Sequence, residues 1–244
     1  MAALSPDSAS AAGGAYAVED AEVEKPGSCK VESWFSAAAN RDRAGVVSFG
    51  CVVDFVRPVE LNPQFERTRS GGLWSTGFTF QMKTNILPVE PGKIGLAVQG
   101  GPTFDLTAGE STGGFVTIPA TYEFSERFKI NVNAGWEYER GPDWHWFTWG
   151  AGFEWKFVEG QPLTLIGEVF GQSGHRDPAQ PSLTDPRAQI GLRYTPIETI
   201  DFDVIYGRNI TGENSNWITV GLNLRFNAFG EKPAAAVRPR LVRK

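Results

Sequence analysis

From about residue 29 to Phe226, apolar residues recur at every second position and almost nowhere at the three-to-four residue spacing of a helix. The stretch NWITVGLNLRF, Asn216 to Phe226, sets the pattern. Ile218, Val220, Leu222, Leu224 and Phe226 alternate with Thr219, Gly221, Asn223 and Arg225, and Trp217 leads the second set. Successive side chains of a strand point to opposite faces, so this is a strand with one oily face. In FKINVNAGWEYE, Phe128, Ile130, Val132, Ala134, Trp136 and Tyr138 oppose Lys129, Asn131, Asn133, Gly135, Glu137 and Glu139. Similar alternation runs through 145–157, 187–194 and 200–207. Carried towards the amino terminus, it predicts strands near 29–39, 45–55, 58–67, 73–87 and 92–106, twelve in all. The weakest is VELNPQFERT, where Pro63 cannot donate to a ladder; without it the count is eleven.

The second face carries Lys83, Lys93, Glu123, Lys129, Glu137, Glu154, Lys156, Glu168, Arg193, Asp203 and Arg225. Such a face cannot be a protein core, although a soluble sandwich can turn it to water. Aromatic residues gather at strand ends: Trp74, Trp136, Tyr138, Tyr206 and Trp217 at one end, and Tyr122, Phe124, Trp155, Phe157, Tyr194 and Phe226 at the other. Connectors 124–129, 157–164 and 195–201 read as tight, whereas 105–114, 171–188 and 208–216 read as long and polar. In hydrocarbon every strand N–H and C=O must be paired, which demands closure. Two aromatic girdles, unequal connectors and an even strand count fit an all-β fold, a closed antiparallel transmembrane β-barrel of about twelve strands with its oily face on lipid.

Composition excludes other classes. No apolar run approaches the roughly 20 residues of a membrane helix. A net charge of −5 without a basic stripe gives no electrostatic support for nucleic acid. No motif for a cofactor or metal stands out. Of the two histidines, His145 follows Asp143 and His175 has Asp177 nearby, but neither accompanies a nucleophile motif, so an enzyme is not expected.

The organisation read from the chain is a leader or periplasmic amino-terminal segment at 1–28, the barrel at 29–226 and a basic tail at 227–244. Ala15-Tyr16-Ala17 before Val18 has the A-x-A form of a signal-peptidase site, although 1–28 lacks a basic start and an apolar core. Either the start of a signal peptide lies upstream or this is a disordered leader. Cys29 and Cys51 are symmetric about Asn40, so a hairpin turning there sets them opposite each other, within reach of a disulfide in an oxidising periplasm. The alternative is two buried thiols in a slipped hairpin.

TVGLNLRF resembles the carboxy-terminal recognition signal of bacterial outer-membrane barrels, with polar Thr219, Gly221, apolar Leu224 and aromatic Phe226. The resemblance implies a Gram-negative outer-membrane location and a last strand read by the barrel assembly machinery. Phe226 departs from the pattern in being followed by eighteen residues. More loosely, 29–226 is similar to small porin-like proteins labelled as transporters of the phenol meta-degradation pathway.

The expected function is passive passage of small solutes. The pore-lining set is Lys83, Lys93, Lys129, Glu137, Glu154, Glu168, Arg193, Asp203 and Arg225. All charges assigned to the lumen number eight basic and twelve acidic, which favours cations weakly. The alternative is a lumen closed by mutual ion pairs in a structural or adhesive barrel. A barrel enzyme is the lesser alternative.

Overall fold

The computed structural model describes residues 15–141, 143–174, 183–184, 186–210 and 215–228. The strands are β1 (Ser28–Ala38), β2 (Arg43–Asp54), β3 (Pro58–Ser70), β4 (Leu73–Leu87), β5 (Ile94–Asp105), β6 (Glu110–Ser125) and β7 (Phe128–Glu139). They continue with β8 (Trp144–Trp155), β9 (Leu163–Gly174), β10 (Leu183–Thr184), β11 (Arg187–Ile197), β12 (Ile200–Asn209) and β13 (Asn216–Asn227). Each long strand pairs antiparallel with the next, and β1 pairs with β13 from Ser28↔Asn227 to Ala38↔Trp217. That seam closes a twelve-strand barrel; two-residue β10 only extends the sheet beside the end of β9. Closure leaves no long edge unpaired, the condition hydrocarbon imposes.

Period-two alternation becomes inside and outside. Along β12, Asp201, Asp203 and Ile205 are at most 1% exposed, while Phe202, Val204 and Tyr206 are 47, 59 and 49% exposed. On β13, Ile218, Val220 and Phe226 are exposed, and Thr219 and Asn223 are buried in the lumen. Exposed Trp74, Trp136 and Tyr206 ring the end nearer the β12–β13 loop, and Phe124, Trp155, Tyr194 and Phe226 ring the other. Trp217 is a correction to the girdle reading: it shares its face with buried Thr219 and lies across Gly207, where a Cβ would overlap its indole.

Pro63 does not end β3. Pairing with β2 jumps from Ser48↔Gln64 to Cys51↔Leu61 in unchanged register, so the ladder skips the proline and resumes. At Gly100 and Gly101 an added Cβ would run into the carbonyl oxygens of Phe115 and Phe80, so these glycines permit close backbone approach. A register shift in the β5–β6 pairing lies just beyond them, at Thr103/Phe104. The rhythm of connectors is weaker than the sequence implied. Residues 106–109 form a four-residue turn, whereas 156–162, expected to be tight, separate β8 from β9 by seven residues. The strands run further towards the loop end than their apolar positions do, which shortens the loops there.

Cys29 and Cys51 are directly opposed on β1 and β2 and form a disulfide, with Cα atoms 4.1 Å apart. Alternation puts the pair on the outward face, in phase with exposed Phe35 and Phe49, and Phe226 lies opposite Cys29 on β13. The bridge therefore ties the first hairpin beside the closing seam.

Candidate functional site: the lumen and the segment inside it

The lumen is built by the polar phase of each strand and is laced by charge. Lys30 pairs with Glu60 at 2.9 Å and Glu32 at 3.5 Å. Lys129 meets Glu154 at 3.1 Å, and Asn131 donates to the same carboxylate while accepting from Thr121. Arg193 donates Nε and Nη2 to the two oxygens of Asp203, at 2.8 and 3.2 Å, a geometry that a planar guanidinium favours. Asn223 donates to Asp203 as well, and Arg225 pairs with Asp201. Buried charges of this kind are tolerated because each is paired and hydrogen-bonded.

The amino-terminal segment runs through this network. Within 1–28, expected from sequence to be a leader or periplasmic segment, residues 15–22 lie inside the barrel, with Tyr16, Val18, Glu19 and Ala21 buried. Glu168 accepts the N–H groups of Ala17 and Val18, at 3.0 and 3.2 Å, and Thr121 accepts that of Ala21 at 2.8 Å. Asn85 donates to the Ala21 carbonyl. Lys83 reaches Glu19 and Asp20, at 3.4 and 3.0 Å, and Lys129 reaches Asp20 and Glu22, at 3.6 and 3.7 Å. The segment is thus an acidic strap held by two lumen lysines.

Where it crosses, the lumen turns apolar. Tyr16 packs on Ile166 and Ile205, with Ala15 beside them, and Arg193 lies over the Tyr16 ring at 5.1 Å. A Cβ at Gly150 would strike Val18, and one at Gly191 would strike the Tyr16 hydroxyl, so these lumen-facing glycines make room for the strap. On one side of it lies a cavity of about 730 Å³ at the turn end, lined by Tyr16, Val18, Asp20, Lys30, Glu154 and Arg225 among others. On the other is a smaller one of about 220 Å³ at the loop end, with Ala15, Ala17, Trp34, Arg43 and Trp217 in its wall.

Seven of the nine residues expected to line a pore, Lys83, Lys129, Glu154, Glu168, Arg193, Asp203 and Arg225, meet in the network or against the strap. Glu137 sits higher on β7, opposite Phe115 and Trp146. Lys93 belongs to the turn before β5, 71% exposed, and its hydrogen bond to Glu90 at 2.6 Å holds its pKa above the ordinary lysine value. The alternation assigned Lys93 to the lumen because the strand was carried two residues too far. His145 stacks with Trp136 at 5.5 Å and lies tilted against Tyr138 at 5.0 Å, on the outer face. His175 and Asp177 lie outside the described residues, as do 1–14 and 229–244. Thr219 of the carboxy-terminal signal faces inward, its hydroxyl 2.6 Å from that of Ser36 across the closing seam; Leu224 and Phe226 are in the outward phase. Gly221 lies beside Asp203 and Ala15. Among the described residues no group of three or more His, Cys, Asp or Glu side chains is placed to hold a metal ion.

The family model described as "Uncharacterised conserved protein UCP029691" matches residues 1–226. The chain belongs to this family. No curated protein matches it. Among solved structures, the family member is similar in fold to the KdgM porin, with TM-score 0.60 and 10% identity over 81% of this chain and 99% of that one. The COG4313 outer membrane channel from Pseudomonas putida F1 gives TM-score 0.61 and 11% identity over 85% and 98%. The NanC porin gives 0.58 and 6% over 80% and 98%. The fold is therefore that of the outer-membrane porins and channels, a closed twelve-strand barrel.

Proposed function

We propose that the protein is a Gram-negative outer-membrane channel that passes small solutes passively, with a weak preference for cations, and that residues 15–22 control how much of its lumen is open. The observation that carries the reading is a polar, charged chamber of about 730 Å³ inside an apolar wall. A barrel with only a structural task has no need of buried charges, which cost free energy unless each is paired. Ten carboxylates and seven cationic side chains line that chamber, and the acidic excess of three equals the contribution of Asp20, Glu22 and Glu24 from the amino-terminal segment. Fixed negative charge in a narrow, low-dielectric passage concentrates cations. The last strand, through Thr219, Gly221, Leu224 and Phe226, serves as the signal read by the assembly machinery.

The KdgM porin has been solved with disordered oligogalacturonate, an acidic ligand. The acidic excess here argues against polyanions and for neutral or cationic small molecules. The phenol-pathway resemblance supplies no residue that would select an aromatic substrate, and none is assigned.

A second reading is a closed barrel that displays its loops. The strap and the ion pairs across the lumen favour it. Reversal potential in a planar bilayer under a salt gradient separates the two. The channel reading expects conductance with a cation-selective potential, weakened when Glu123 and Glu154, both on the wall of the chamber, are replaced by Lys. Bilayers that stay silent with correctly folded protein favour the closed barrel.

A further inference from the structure

Two observations about the strap meet at one peptide bond. The first is the sequence Ala15-Tyr16-Ala17 before Val18, with small residues three and one positions ahead of the bond, the A-x-A part of a signal-peptidase site. The second is Glu168. Its carboxylate is buried at 6% exposure near the middle of β9 and is held by neutral donors: the N–H groups of Ala17 and Val18 and, at 2.6 Å, the amide of Gln189. No cation lies within ion-pair distance of it among the described residues. Glu32, Glu60, Glu154, Asp201 and Asp203 on the wall each have a lysine or arginine partner. A buried, charged carboxylate served only by neutral donors is costly, and a cation placed where a donor already stands would relieve it.

We propose that the Ala17–Val18 bond is cut on export and that the new amino terminus at Val18 docks inside the barrel on Glu168. Hydrolysis adds one water across the bond, leaving Ala17 with a carboxylate and Val18 with an α-ammonium group. The nitrogen that becomes that ammonium is already 3.2 Å from Glu168 Oε1. It gains two further donors and a positive charge at the carboxylate that lacks one. The loss of the Ala17 N–H is made good by those added donors, and Gln189 keeps its place on Oε2.

The residues removed fit the lumen poorly in one respect. The Tyr16 hydroxyl is buried without a hydrogen-bond partner among the described residues, and such an orphan is destabilising. Cutting at Ala17 takes Tyr16 away. Arg193 retains Asp203, and the space over Ile166, Ile205 and Gly191 joins the lumen. The shortened strap, Val18 to Glu24, keeps its anchors on Lys83, Lys129 and Thr121. Processing would therefore both widen the loop-side half of the lumen and fix the tip of what remains. The inference does not depend on whether the barrel conducts.

The test begins with protein recovered from the outer membrane of cells expressing it from its own gene, with its amino terminus read by sequential degradation and intact mass. The expected sequence is Val-Glu-Asp-Ala-Glu; any other start overturns the proposal. The second arm follows labelling of the α-amine near pH 7 by an amine-reactive reagent, conditions that favour it over lysine because its ordinary pKa is about 7.7–8.0. In the folded barrel the rate is expected to fall at least tenfold below that of the unfolded chain. Equal rates in the two states overturn the docking. Glu168→Gln is expected to restore most of the lost reactivity while heat-modifiable migration persists. Because the wild-type comparison alone can overturn the docking, a variant that failed to fold would leave the test intact.

Discussion

The barrel wall and the strap inside it are held by different forces. The wall is a closed ladder in which backbone pairs backbone around the whole circumference, and side chains only decide which face is which. The strap crosses the lumen without joining the sheet. Its N–H groups go to the side chains of Glu168 and Thr121, and its carboxylates go to Lys83 and Lys129. A ladder of this extent opens as a unit, whereas a segment held by a few side-chain contacts can leave while the rest stays folded. The wall is thus the scaffold and the strap the movable part.

The largest effect expected is on formation of the wall. Phe226→Ala should abolish most assembly into the outer membrane, whereas removal of residues 229–244 should leave it unchanged, as judged by heat-modifiable migration of the membrane fraction. A tail deletion that blocks insertion while Phe226→Ala does not would mean that β13 is not the strand read during assembly.

The next comparison uses two neighbours in one strand. Val204 faces out, and Ile205 faces the strap. An arginine near the middle of a lipid-facing strand costs about 2–4 kcal/mol, so Val204→Arg should lower the free energy of folding into vesicles, read from denaturant titration, by that amount. Ile205→Asn should stay within about 1 kcal/mol of wild type, since it loosens the strap rather than the ladder. Equal losses at both positions would remove the distinction between scaffold and strap.

How much of this was legible follows from the same division. Strict alternation read the wall well: β1 to β5 lie within a few residues of the expected spans, and even Pro63 was kept in its strand. A register of two carries that information, because slipping by one would turn every oily residue inward. The strap has no period. Its acidic, small-residue sequence reads as a leader because nothing in it must bury an oily face. Signals for it were nevertheless present on the wall, as exceptions to the rule. Ile166 and Ile205, which pack on Tyr16, are apolar in a phase that otherwise carries Glu168 and Asp203. Gly150 and Gly191 in the same phase leave room for a chain. The misplaced Lys93 and Trp217 have another cause: alternation says which face a residue takes, but not where a strand stops or which residues at its end belong to a girdle.

The disulfide sharpens the comparison on the wall side. Replacing Cys29 and Cys51 by Ser should cost about 3 kcal/mol of wall stability, the usual size for a bridge closing a loop of this length. In the wild type both thiols should resist alkylation until reduced. Unhindered alkylation before reduction would contradict the pairing of β1 with β2.

A smaller effect on the wall is expected from Lys83→Met, which leaves Glu19 and Asp20 without their shared cation. Wall stability should move by less than about 1 kcal/mol, because the strap can leave for water and rehydrate its carboxylates. Protease cleavage within residues 18–24 should speed up markedly in the folded variant. A strap that stays protected would show that Lys83 is not one of its anchors.

The central claim, that the strap governs an otherwise open lumen, is tested most directly by single-channel recording of Glu19→Gln/Asp20→Asn/Glu22→Gln beside the wild type. The three changes remove the carboxylate charges of residues 15–22 and leave every wall residue in place. The account predicts low or intermittent wild-type conductance and a severalfold higher, steadier conductance in the variant. Identical traces from two correctly folded proteins would contradict it.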